Sequence, residues 1–144
     1  MPYRRIGCVC AVLLGAQLGA MSQGKAESRS LAIDTFEVVM NLAPGRPAAG
    51  YGVITGPSGA ALRAVSSPEV GRIEMHIIER DGTIAKMVRV DSLQIQPAGD
   101  LIFKRGSNHL MLFNIENDAA NDGIIPLTFS FSDGQTLSFD AKIN

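Results

Sequence analysis

The sequence predicts an all-β domain, an antiparallel sandwich or small barrel, and three observations predict it. Beyond residue 30 no stretch sustains the periodicity of an amphipathic helix. Short runs rich in Val, Ile, Phe and Thr recur, and clusters of Gly, Pro, Asn and Asp separate them at intervals typical of sandwiches and barrels. The composition is that of a folded globule: of 144 residues, 46% are hydrophobic and 19% charged. That is one domain's length and too apolar for disorder.

The chain opens on an export signal. Arg4 and Arg5 are followed by Ile6 to Leu18, apolar apart from Gln17. This run suits a signal-peptide core and falls short of the about 20 residues that a membrane-spanning helix needs. Gly24-Lys25-Ala26 offers a small-x-small cleavage site. Residues 1–26 are therefore expected to be a signal peptide and 27–144 a mature periplasmic domain, with no stable membrane insertion after cleavage. Cys8 comes too early to be a lipobox cysteine. Cys8 and Cys10 both leave with the signal, so the mature domain has no thiol. Disulfides, cysteine nucleophiles, cysteine zinc sites and blue-copper centres are excluded. Cleavage also removes Arg4, Arg5 and Lys25, leaving ten basic residues against fourteen acids. An acidic domain with no basic cluster in sequence is a poor nucleic-acid binder.

The strands follow from the punctuation. Strand 31–40 ends before Pro44-Gly45-Arg46-Pro47, and 50–55 ends at Gly56-Pro57-Ser58-Gly59, which 61–66 follows. Strands 72–79 and 83–90 flank Asp81-Gly82, and 92–96 ends at Pro97-Ala98-Gly99. Strands 100–104 and 109–115 precede a polar stretch from Asn117 to Gly123, and 124–132 and 136–143 close the chain around Asp133-Gly134. Met40 and Met75 are assigned to the core.

Hairpin registers follow from matching apolar faces, because a one-residue slip turns every side chain over. For the last hairpin, a loop of Asp133-Gly134-Gln135 sets Phe131 opposite Leu137, Phe129 opposite Phe139 and Leu127 opposite Ala141. For the middle hairpin, a two-residue Asp81-Gly82 turn sets Ile73 opposite Val90, Met75 opposite Val88 and Ile77 opposite Lys86. That face is the expected core face. The other face carries Arg72, Glu74, His76 and Ile78, with His76 directly across from Met87.

The chain has two histidines, His76 and His109. Met87 opposes His76 in the expected register, and Met111 lies two residues after His109, on the same strand face. Leu110 and Leu112 take the opposite face and belong to the core. Both His–Met pairs therefore sit where the core makes no claim. Two imidazoles and two thioethers form a soft donor set that selects Cu(I) over hard cations. The set also suits an oxidising compartment better than cysteines would. No nucleophile or acid–base set points to an enzyme. Ser58 sits in a Gly-Pro-Ser-Gly turn, and Asp118 and Asp122 lie in a loop without an EF-hand pattern.

The spacing His76, ten residues, Met87, twenty-one residues, His109, one residue, Met111 resembles that of the PCu(A)C family of periplasmic copper chaperones. Similar stretches surround it: Ala48-Ala49-Gly50-Tyr51, Val65 to His76, Asp81-Gly82, and Ile95-Gln96-Pro97-Ala98-Gly99. The resemblance covers roughly residues 31–143. It implies a cupredoxin-like Greek-key β-sandwich that binds one Cu(I) through His76, Met87, His109 and Met111. It further implies copper delivery to the centres of respiratory cytochrome oxidase, directly or through another copper chaperone. Where the family often has Met-Arg-Met-Arg, this chain has Ala85-Lys86-Met87-Val88-Arg89, with one nearby methionine fewer, and Phe113 replaces a frequent second methionine after the His-x-Met. Two other functions stay open on the residues: a copper-sequestering or resistance protein using the same site, and a structural or interaction sandwich of the cell envelope without metal.

Overall fold

A computed structural model describes residues 29–144. The expected signal peptide, residues 1–26, lies outside the described residues. All ten expected runs form strands: β1 (Ala32–Val39), β2 (Ala48–Thr55), β3 (Ala61–Ser66), β4 (Val70–Asp81), β5 (Ile84–Val90), β6 (Leu93–Gln94), β7 (Asp100–Phe103), β8 (His109–Ile115), β9 (Ile124–Phe131) and β10 (Thr136–Ile143). Their order is β5-β4-β8-β2-β1-β10-β9-β3-β6, with β7 also paired to β2. Strands from both ends of this order bury residues in one core, among them Met75 of β4, Leu110 and Leu112 of β8, Phe36 of β1, Leu62 of β3 and Phe129 of β9. The sheet therefore folds back over itself as a sandwich. Met75 is buried as expected, and Met40 packs against the core edge.

Three local expectations are corrected. The pairing is not wholly antiparallel, because β1 and β10 run parallel. Far-apart strands are free to pair in that way, since no tight turn has to join them. Both hairpins keep the expected faces but slide by one residue pair. In the middle hairpin Ile78 opposes Met87, His76 opposes Arg89 and Ile77 opposes Val88. The turn residues are Gly82 and Thr83, with positive φ at Gly82 alone (60°). A turn needing positive φ only at its first central position places the glycine first; the Asp-Gly alternative would also need Asp81 in that region. In the last hairpin Leu137 opposes Phe129, Phe139 opposes Leu127 and Ala141 opposes Ile125. Phe131 closes on Gln135, so the three-residue loop is Ser132-Asp133-Gly134. Such a loop ends on a left-handed residue, here Gly134 at φ 86°.

The polar stretch after β8 holds one short helix, α1 (Asn117–Asp122). Gly123 ends it in the left-handed region at φ 73°, donating its N–H to the Ala119 carbonyl. Ala119 is fully buried. A helix of under two turns is too short to register as periodicity. Among the described residues no helix is long and apolar enough to cross a membrane.

Candidate metal centre

The site forms where β4 is flanked by β5 on one side and β8 on the other. Alternation along β4 puts Arg72, Glu74, His76 and Ile78 on one face, while Met75 faces the core. The β4–β8 register places His76 directly opposite His109 and Glu74 directly opposite Met111. The imidazole rings lie 5.7 Å apart, centre to centre. On the other flank, Met87 is the diagonal neighbour of His76, within the roughly 7–8 Å that such neighbours span. All four residues singled out in the sequence therefore share one face, and Leu110 and Leu112 are fully buried on the other.

Three of the four, His109, Met111 and Met87, line a cavity of about 330 Å³ together with Ile78, Tyr51 and Pro47, among others, while His76 lies outside its lining. Burial grades across the set. His109 is 6% exposed and Met87 is 48% exposed, and the His76 side chain is 12% exposed. His109 thus belongs partly to the packed interior, which alternation alone does not reveal.

Hydrogen bonds define the free nitrogens. His109 Nδ1–H donates to the Ser107 carbonyl at 2.8 Å, which leaves Nε2 with its lone pair. His76 Nε2–H donates to Glu74 Oε2 at 2.9 Å, and the buried Nδ1 of His76 has no partner. A histidine that gives one N–H to a carboxylate or carbonyl and keeps the other nitrogen bare is the arrangement found at metal ligands. An orphaned buried nitrogen is otherwise costly.

Glu74 was not singled out in the sequence. The only signal was its position two residues before His76 on the same face, and charged residues at such positions are usually solvated. Here its side chain is 12% exposed and ion-paired to Arg72 at 2.9 Å and Arg89 at 3.8 Å. The hydrogen bond from His76, assisted by Arg72 and Arg89, holds the Glu74 carboxyl below the usual carboxylate range, against the opposing effect of burial. Among the described residues no three His, Cys, Asp or Glu side chains converge as a hard-metal site would need. The residues that share this face are two histidines and two methionines, donor types that suit a soft monovalent ion.

Comparison with known proteins bears on the family and the fold. The LpqE-like lipoprotein family matches residues 31–143. The protein RP573 of Rickettsia prowazekii (strain Madrid E) is 32% identical over 80 residues, which cover 55% of this chain and 44% of RP573. The match thus spans less than half of that relative's length. Among solved structures, Cu(I)-bound DR1885 from Deinococcus radiodurans superposes with a TM-score of 0.66 at 21% identity, over 87% of this chain and 85% of that one. The copper-bound PCuAC domain of PmoF2 does so with a TM-score of 0.64 at 17% identity, over 81% of this chain and 94% of that domain. The fold is that of the PCuAC domains.

Proposed function

We propose that this chain, which belongs to the LpqE-like family, a PCuAC-type family, is a copper chaperone that holds one Cu(I) through His76, Met87, His109 and Met111 outside the cytoplasm. The observation that carries this reading is the direct pairing of His76 with His109, with a methionine beside them on each flank and a bare nitrogen on each ring. Solved relatives of the same fold include copper-bound forms, one of them with Cu(I).

Each residue has a distinct part. His109 is the interior anchor, fixed by Ser107. His76 is oriented by Glu74, which holds the proton on Nε2 and turns the lone pair of Nδ1 to the metal. Met111 joins from the β8 side. Met87, half exposed on an edge strand, is the ligand an acceptor reaches first. Thioethers carry no proton, so the imidazoles alone couple copper binding to pH. The exposed Met87 favours handing copper on over storing it. The receiving sites are the copper centres of respiratory cytochrome oxidase or an intermediate chaperone. Residues 1–26 direct export to the periplasm, and the chemistry is binding and transfer, not catalysis.

The test is anaerobic Cu(I) titration followed by native mass spectrometry, then transfer to a soluble oxidase copper domain. One Cu(I) per mature chain, passed to that domain, supports the reading. Binding that survives loss of both histidines contradicts it, and binding without transfer supports sequestration instead.

A further inference from the structure

The sequence has no basic run, yet folding gathers arginines around the candidate copper site. Arg72 and Arg80 lie on the His76 face of β4, and Arg89 lies opposite His76 on β5. Arg46 lines the cavity itself. Arg105 sits 5.9 Å over the ring of Tyr51, another lining residue, and Arg80 donates to the Gly106 carbonyl on the same rim. All five arginines are exposed. On the His76 face of β4 and β5 and in the two loops beside it, Glu74 is the only carboxylate; Glu79 and Asp81 alternate onto the other face of β4, and Asp91 lies past the end of β5. Residues 29–144 hold ten cations and thirteen acids. Half the cations thus share this face with one acid, while the other five are spread among twelve acids. These arginines are gathered on the face that carries Met87.

We propose that this face docks an acidic protein surface, the one that presents the acceptor's copper ligands. The cations are all arginines, whose planar forks match carboxylates bidentately. They surround an exposed thioether instead of an apolar wedge. Ligand-by-ligand transfer of copper needs the acceptor's soft donors beside Met87, and a lipid headgroup has none to offer. The clustered charge would steer the encounter and set its register. The copper step rests on the function proposed above; the docking surface does not.

The probes are two labelled peptides with the same three-methionine centre, one flanked by aspartate and glutamate and one by lysine. Fluorescence anisotropy with the apo protein at low salt should show the acidic peptide binding at least about tenfold more tightly, with affinity falling as salt rises. The double variant Arg46→Glu/Arg105→Glu, which leaves the Glu74 pairs intact, should lose that preference. Arg63→Glu, on β3 at the far end of the strand order, should keep it. Equal binding of the two peptides, or an unchanged preference in the double variant, overturns the proposal. So does binding to phosphatidylglycerol vesicles that the double variant abolishes while the peptides are not discriminated. Transfer from the Cu(I)-loaded protein to the same peptides forms a separate arm: if copper does not bind, that function fails while the apo result still decides the docking surface.

Discussion

The four candidate ligands should contribute unequally to the apo fold, and their burial ranks them. Met87 stands on the edge strand β5, 48% exposed. Truncating it to alanine should cost less than about 1 kcal/mol, as surface changes away from special features do. His109 is 6% exposed, and its ring donates to the Ser107 carbonyl at 2.8 Å. His109→Ala removes that bond, worth about 1 kcal/mol, and leaves the carbonyl and a small void beneath it. A cost of about 2 kcal/mol follows. Leu112, fully buried in the same strand, should cost about 2–5 kcal/mol as alanine, through lost burial and the cavity left behind. For a domain of this size each kcal/mol moves the midpoint by about 4 °C. Thermal and urea melts of the apo variants should therefore order Met87→Ala, His109→Ala and Leu112→Ala from least to most destabilised. Copper affinity should fall sharply in the first two and little in the third. If Met87→Ala melts as low as Leu112→Ala, Met87 is a core residue and the β4–β5 face assignment is wrong.

Three further outcomes follow from the same geometry. Glu74→Ala, which removes the acceptor oxygen, should weaken Cu(I) binding by about tenfold or more, as loss of an orienting partner does, and nitrogen-15 NMR of the apo protein should show the His76 proton no longer confined to Nε2; an unchanged tautomer would remove Glu74 from the site. Because folding lowers the Glu74 pKa below its reference of 4.5, its contribution to stability is full above that value and is lost as pH falls through the lower, folded value. Acid titration of apo stability should show that loss in the wild type and not in Glu74→Gln. Copper affinity should fall on acidification, because protons compete with the metal for the imidazole nitrogens, and a flat competition profile would mean that the histidines are not ligands.

The faces were legible in the sequence because the period of a strand is two. Alternation separated His76 from Met75 and Met111 from Leu112, and a register slip of one full pair in each hairpin left every side chain on its face. The slips arose from turn chemistry: the glycine's place within each turn, set by where φ must be positive, fixed the pairing. The meeting of His76 with His109 was not legible from residues alone. It depends on β4 lying beside β8, a non-local pairing that no hairpin imposes, and the family spacing implied it only indirectly. Glu74 escaped notice because its role exists only once His76 is turned toward it. The arginine face is hidden for the same reason, since Arg46, Arg80 and Arg105 are far apart in the chain and meet only through the sheet.

X-ray absorption at the copper edge of the Cu(I)-loaded mature protein tests the proposed site most directly. It should show one Cu(I) with sulfur and nitrogen scatterers together, the sulfur signal falling in Met87→Ala and Met111→Ala and the imidazole signal falling in His76→Ala and His109→Ala. A first shell of nitrogen and oxygen alone, or a spectrum unchanged in all four variants, would contradict it.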